Sequence, residues 1–282
     1  MKNINIIWAI MLFVAISACD IVEPPYRKGG EVDPNDTTKI DSTKRKVLLE
    51  DFTGFRCGNC PEATHVAELI SEQFPGRVIV LANHAGPLAV PTPNRKYEFR
   101  TAETVELANF YGLIATPYGT INRKEYEGQK LLAPTAWGGY VAEQLNIDAD
   151  MKITLDAGYN SSTSEISLNA KLDYLKQGNT NHFVAVYIME DSVVQYQQDD
   201  RIPGIHIEDY VHNHVMRGSF NGTWGVPVAD APVNAGSSIN LPYTFKIPAG
   251  KDWRPAKLSL VVFVHDNTTK EVLQVEKVKL IE

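Results

Sequence analysis

The run Phe55-Arg56-Cys57-Gly58-Asn59-Cys60-Pro61 stands between an apolar, strand-like stretch, Lys46–Thr53, and a helix-like one, Glu62–Phe74. Two thiols three positions apart at the mouth of a helix can close into a small disulfide. The unpaired N–H groups and positive dipole end of that helix favour the thiolate form of the first thiol. Cys57 is therefore the expected nucleophile. Arg56 adds a cation that acts in the same direction on a thiol whose free pKa is about 8.5. Cys60, one turn into the helix, is the expected resolving thiol, and Pro61 is tolerated because first-turn N–H groups have no intrahelical acceptor. A structural disulfide, half of a zinc site and two reduced cysteines are the competing readings. A zinc site built as two such pairs is excluded, since the sequence holds no second pair.

At 282 residues, with 44% hydrophobic and 22% charged, the chain has room and apolar content for two modest globular domains. A formal charge of −7 without a clustered basic surface excludes nucleic acid as a partner. The amino-terminus carries Lys2 and then an unbroken apolar run, Ile6–Ile16, too short to span a bilayer core as a helix. Residues 1–18 therefore read as an export signal. The run ends in Ile16-Ser17-Ala18-Cys19, which resembles the lipobox of bacterial lipoproteins. That resemblance implies lipid attachment at Cys19 and a membrane partner through an N-terminal lipid. Of three cysteines, only Cys57 and Cys60 then remain, in a chain facing an oxidising compartment. A bridge closing so short a loop adds little entropic stability, which favours a chemical role over a stapling one. Residues 19–45 are polar, turn-rich and aperiodic, and read as a flexible tether.

From residue 46 the pattern is strand, helix, strand. Lys46–Thr53 and Arg77–Ala82 have the apolar density of buried strands, and Ala63, Val66, Ala67, Leu69, Ile70 and Phe74 fall at helical spacing. The loop His84–Tyr97 is long enough to form a binding edge. Glu98–Tyr111 predicts a second helix ended by Gly112, and Pro134 opens a third running to about Asn146.

This order, with its cysteines and a Thr116-Pro117 pair ahead of the third strand, resembles the thioredoxin fold. The resemblance implies a cis bond at Thr116–Pro117, with both residues laying a substrate backbone beside the Cys57–Cys60 pair. It also implies a buried acid beneath the disulfide at Asp51, six residues before Cys57, able to shuttle the proton of the resolving thiol. Glu50 competes for that role, but strand alternation puts the two carboxyls on opposite faces. His84 would lie near the same edge, and Phe55 and Tyr118 would supply an apolar rim.

Beyond Asp150 the character changes to strand-like runs at Lys152–Gly158, Glu165–Leu175, Phe183–Met189, Tyr210–Arg217, Ser238–Ile247, Lys257–His265 and Glu271–Ile281. Such a series predicts an antiparallel immunoglobulin-type sandwich over residues 150–282. The expected fold is thus an α/β thioredoxin-like domain, residues 46–149, followed by an all-β immunoglobulin-like sandwich. His206, His212, His214 and Asp209 raise a metal question, but alternation on a half-exposed strand gives the same pattern. No metal or other cofactor is assigned.

The passages Leu49-Glu50-Asp51-Phe52-Thr53-Gly54, Cys57-Gly58-Asn59-Cys60-Pro61, Tyr210-Val211-His212-Asn213-His214-Val215-Met216-Arg217, Gly222-Thr223-Trp224-Gly225 and Val262-Phe263-Val264-His265-Asp266 together resemble the outer-membrane-protein-twenty-eight family of bacterial lipoproteins. The resemblance implies a lipid-anchored protein of the bacterial outer membrane. The leading functional expectation is a tethered thiol–disulfide oxidoreductase whose partners are envelope protein thiols or disulfides. It requires one solvent-reachable sulfur with its mate and the Thr116–Pro117 peptide beside it. The competing expectations are a non-catalytic binding lipoprotein with a structural bridge, and a copper or zinc carrier using Cys57, Cys60 and His84.

Overall fold

The computed structural model of the protein describes residues 43–281. The signal segment, Cys19 and nearly all of the tether lie outside the described residues. The first elements are β1 (Val47–Thr53), α1 (Cys60–Gln73), β2 (Val78–His84), α2 (Ala102–Tyr111), β3 (Tyr118–Ile121) and α3 (Pro134–Leu145). β1 is central, parallel to β2 and antiparallel to β3, and every one of its residues is buried. α1 begins at Cys60 with Pro61 in its first turn and no side chain capping it, so its amino-terminal end abuts the cysteine loop. α2 starts later than the pattern predicts. Thr101 and Thr104 form a reciprocal capping box there, while Glu98 is drawn off to Arg100.

Ten strands follow: β4 (Met151–Asn160), β5 (Glu165–Tyr174), β6 (His182–Glu190), β7 (Val193–Gln198), β8 (His206–His212), β9 (Val215–Ser219), β10 (Val226–Pro227), β11 (Ser238–Lys246), β12 (Leu258–Asp266) and β13 (Val272–Lys279). They do not build a separate sandwich. One mixed sheet runs β13-β12-β6-β9-β2-β1-β3, with β10 beside β6, and so takes strands from both sides of residue 150. The junction is a parallel pairing of Ala82 with Val215, sealed by the Ala82 N–H donating to the His214 carbonyl at 2.7 Å. The sheet curls until its ends meet, where the Val272 N–H of β13 donates to the Asn122 carbonyl just past β3, at 2.7 Å.

Alternation explains the merger. In β6, Val184, Val186 and Ile188 face a three-stranded sheet, β11-β5-β4, whereas Ala185, Tyr187 and Met189 face the other way. Those odd residues pack with Leu48, Ile79 and Leu81 of β1 and β2 and with Val261 and Phe263 of β12. The opposite face of β1 and β2 is covered by α1 and α3 through Ala63, Ala67, Ile70, Trp137 and Val141. A free-standing immunoglobulin-like sandwich would leave the odd residues of β6 in water, at a cost set by their apolar area.

The expected fold is therefore corrected. Among the described residues strand outweighs helix, 42% to 18%, in mixed sheets. An α/β thioredoxin-like domain followed by an all-β immunoglobulin-like sandwich does not describe that architecture.

Two further differences matter for function. The single strand predicted over Tyr210–Arg217 is split, because His214 turns into the left-handed region (φ 58°) with its N–H donating to Asp191 Oδ1 at 2.8 Å. The unpredicted β7 pairs with β8 as a hairpin belonging to neither large sheet.

Candidate functional site at the Cys57–Cys60 bridge

Because β1 and β2 are parallel and β3 antiparallel to β1, the end of β1, the end of β2 and the start of β3 share one sheet edge. That edge gathers the cysteine loop, His84 and the Thr116–Pro117 peptide. The loop is held tightly. The Cys57 N–H donates to the Gly54 carbonyl at 2.9 Å, the Cys60 N–H to Cys57 at 3.2 Å, and the Arg56 N–H to Leu88 at 3.1 Å. A Cβ at Gly54 would lie 2.8 Å from the Leu88 backbone, so a larger residue there would push the loop off its support. Cys57 and Cys60 are joined in a disulfide, their Cα atoms 5.3 Å apart.

The expectation of one solvent-reachable sulfur is not met in this resting state, in which both residues are covered: Cys57 is 2% exposed and Cys60 1%. The cover is the β7–β8 hairpin and the turn joining its strands. Gln198 N–H donates to the Phe55 carbonyl at 2.8 Å and Asp200 N–H to the Gly58 carbonyl at 3.0 Å. The Gln197 side-chain amide donates to the carbonyls of Cys57 (3.0 Å) and Gly54 (3.4 Å). Asp200 lies so close over Gly58 that a Cβ there would sit 2.0 Å from its Cγ. Arg201 reaches Glu62 on α1 at 2.5 Å.

Asp51 is 1% exposed and meets no cation. Thr64 Oγ1 donates to its Oδ2 at 3.1 Å, and its Oδ1 has no partner. Burial pushes its carboxyl up to about 7, against the smaller opposing effect of the Thr64 hydrogen bond. Thr64 stands one turn beyond Cys60 on α1, and both line a small cavity with His84, Gln197, Tyr210 and His212. Thr64 thus stands between Asp51, to which it is hydrogen-bonded, and the cavity that Cys60 also lines. Glu50, the competing acid, instead forms a buried bidentate pair with Arg123 at 2.8 and 2.7 Å and accepts from Thr120 at 2.8 Å. Burial raises its carboxyl, but the Arg123 charge and these hydrogen bonds more than reverse this and hold it below the usual range.

The Thr116–Pro117 peptide is cis. Pro117 precedes the residue, Tyr118, that pairs with Phe52 across β3 and β1. Phe55 forms no rim: it is buried against Phe99 and Tyr196, while Tyr118 is exposed. Arg56 is directed at the Pro87 carbonyl. His84 stacks on Phe99 at 4.1 Å and meets His212 at 5.3 Å, both centroid to centroid. Burial, the charge of His212 and that of Arg217 hold His84 well below the ordinary histidine range, and burial takes His212 down to about 4. The other two histidines of the sequence cluster go elsewhere, His206 to the Tyr196 hydroxyl and His214 to Asp191. Among the described residues, no group of acidic, histidine and cysteine side chains is arranged to hold a metal ion.

Sequence reasoning missed Thr64, Gln197, Asp200 and Tyr210. Thr64 had a signal in its i+4 spacing from Cys60, but Gln195-Tyr196-Gln197-Gln198-Asp199-Asp200 has neither apolar alternation nor a turn motif.

A model of the family described as outer membrane protein Omp28 matches residues 104–282. The chain belongs to the Omp28 family. It is accordingly an outer membrane lipoprotein. The Omp28 match begins after the cysteine pair, so membership by itself carries no redox chemistry. A solved domain of the outer membrane lipoprotein Omp28 from Porphyromonas gingivalis is 29% identical, with coverage of 47% of this chain and 89% of that one and a TM-score of 0.32. HBP35 of Porphyromonas gingivalis shares the fold at a TM-score of 0.61, with 16% identity over 84% of this chain and 76% of that one. A protein of Agrobacterium tumefaciens is 14% identical at a TM-score of 0.50, covering 85% and 96%. No protein of the curated set matches.

Proposed function

We propose that this Omp28-family lipoprotein is a thiol–disulfide oxidoreductase of the bacterial envelope, working through Cys57 and Cys60 on protein thiols or disulfides. The observation that carries the reading is Asp51. A desolvated carboxyl with one unpartnered oxygen costs folding free energy, and a structural bridge has no use for one. Near neutral pH it is divided between its two protonation states, as a proton shuttle must be.

From the oxidised bridge, a substrate thiolate attacks Cys57 Sγ and the Cys57–Cys60 bond breaks. Cys60 leaves as a thiolate and takes the proton of Asp51, relayed by Thr64. A second substrate thiolate then attacks the substrate sulfur of the mixed disulfide and releases Cys57. Two electrons pass from the substrate dithiol to the cysteine pair, and a substrate disulfide forms. The reverse sequence reduces a substrate.

A second reading rests on the burial of both cysteines: a non-catalytic envelope lipoprotein with a protected structural bridge. Trapping separates the two. With Cys60→Ser expressed in the native envelope, the redox reading expects thiol-reducible adducts held through Cys57. The absence of such adducts, together with intact envelope interactions in Cys57→Ser/Cys60→Ser, would leave the structural reading standing.

A further inference from the structure

The hairpin covers the bridge through backbone donors that every polypeptide carries. They are the Gln198 N–H at the end of β7 and the Asp200 N–H in the turn that follows, and their acceptors are the Phe55 and Gly58 carbonyls flanking Cys57. Backbone N–H groups two residues apart are common to all polypeptides, whatever their sequence. Gly58, lacking a side chain, leaves the space into which the Asp200 carboxylate packs.

The hairpin is also built to hinge. Its base is fixed by Val193, which packs with Phe55, Phe99 and Val215, and by the burial of His212. Ser192 before β7 and His214 after β8 are both non-glycine residues in the left-handed region, at φ 63° and 58°. The β7–β8 ladder slips register between Gln195 and Gln197, where the apolar base gives way to the polar tip. That tip, Asp199–Ile205, is tied to α1 by an exposed Arg201–Glu62 pair, and exposed pairs contribute little to stability.

We propose that the Phe55–Gly58 carbonyl edge is a docking site for an extended polypeptide substrate, that Gln197–Asp200 occupies it in the resting protein, and that the hairpin tip lifts to admit the substrate. This rests on the redox reading and adds the substrate class and the access step. The site reads backbone, so it accepts unfolded or extended segments in preference to folded surfaces. The tip shields the bridge from small thiols until a polypeptide displaces it.

The test uses the full chain carrying Gln197→Ala/Arg201→Ala and, separately, Gly58→Ala, which drives Asp200 off the loop. The first readout is the rate at which dithiothreitol reduces the bridge, followed by thiol alkylation and mass spectrometry, with the thermal midpoint as the folding control. The second is binding of a synthetic peptide with the sequence Val193–Ile202. The proposal expects reduction at least tenfold faster in both variants, and peptide binding that the parent protein lacks in Gln197→Ala/Arg201→Ala but not in Gly58→Ala, whose methyl excludes the peptide's Asp200 as it does the resident one. Reduction at the parent rate in both folded variants overturns the lid, and fast reduction of Gln197→Ala/Arg201→Ala without peptide binding overturns the polypeptide site. If the opened protein binds peptide yet exchanges no disulfide with a model disulfide peptide, the docking site stands and the oxidoreductase reading fails.

Discussion

Glu50 and Asp51 are neighbours on β1, both fully buried, and their carboxyls lie in opposite electrostatic states. Glu50 faces Arg123 and is held ionised, whereas Asp51 faces α1, meets only Thr64 and is held protonated up to about pH 7. Strand alternation is the whole cause of the difference, since adjacent side chains enter opposite layers. One layer contains a buried guanidinium and the other a cysteine helix with no cation.

Asp51→Asn should stabilise the protein above neutrality and flatten its pH profile. The folded carboxyl keeps its proton to about pH 7, while the unfolded one releases it near 3.8. Between those values the folded state binds more protons, so this group's contribution to stability falls as pH rises through the window and is level above it. At about 1.4 kcal/mol per pH unit, ionised Asp51 costs the folded state roughly 4 kcal/mol as an upper figure. Urea melts at pH 5 and pH 8 check this: Asn should gain stability relative to Asp mainly at pH 8. The same variant should slow disulfide exchange, so a gain in stability accompanied by a loss of exchange marks a functional acid.

Glu50→Gln should do the reverse. Removing one partner of a buried pair leaves Arg123 charged and uncompensated among Tyr187, Trp224 and Phe263, a loss of about 3–5 kcal/mol by analogy with other buried pairs. Glu50→Leu/Arg123→Leu should recover much of that loss, because no charge is then stranded. Equilibrium denaturation of the three proteins reads the coupling, and equal losses in the single and double variants would contradict it.

His84 and His212 set an acid limit. Both are held neutral, His212 with a folded value of about 4 against 6.5 in the unfolded chain. The unfolded state therefore binds more protons as pH falls below 6.5, and stability drains away toward pH 4. This opposes the Asp51 contribution in the same range, so the histidines are best read in the Asp51→Asn background. There, His212→Gln should shallow the acid-side loss, measured by thermal midpoint between pH 4.5 and 7.

Much of the site was legible because it is local. The cysteine pair, the helix behind it and Asp51 on the preceding strand are fixed by short-range spacing. Thr116–Pro117 was reached through resemblance to a fold whose two-domain form the chain does not keep. The architecture was not legible in the same way, since it depends on which strand β2 finds as its outer neighbour, and the Ala82–Val215 pairing spans more than a hundred residues. A clue was present in Phe183-Val184-Ala185-Val186-Tyr187-Ile188-Met189, apolar at every position, which signals burial on both faces. The hairpin gave no comparable clue. Its cover over the bridge is made by backbone N–H groups, and these leave no mark in the sequence.

The continuity of the main sheet makes the last prediction. Leu48, Ile79 and Leu81 are buried almost completely against Tyr187, Met189, Met216 and Phe263, all supplied by residues beyond 150. A fragment of residues 43–149 would expose that face of β1 and β2 and leave Ala82 N–H without the His214 carbonyl. It should therefore lack a fixed fold and give poorly dispersed amide resonances, even though its helices α1 and α3 retain their own packing on the opposite face. In the full chain, Leu81→Ala should cost about 2–5 kcal/mol and lower a single unfolding transition seen equally by fluorescence and far-ultraviolet circular dichroism. Two separated transitions, or a well-dispersed spectrum from the fragment, would mean that the halves fold independently and that the shared sheet is a late docking of finished domains.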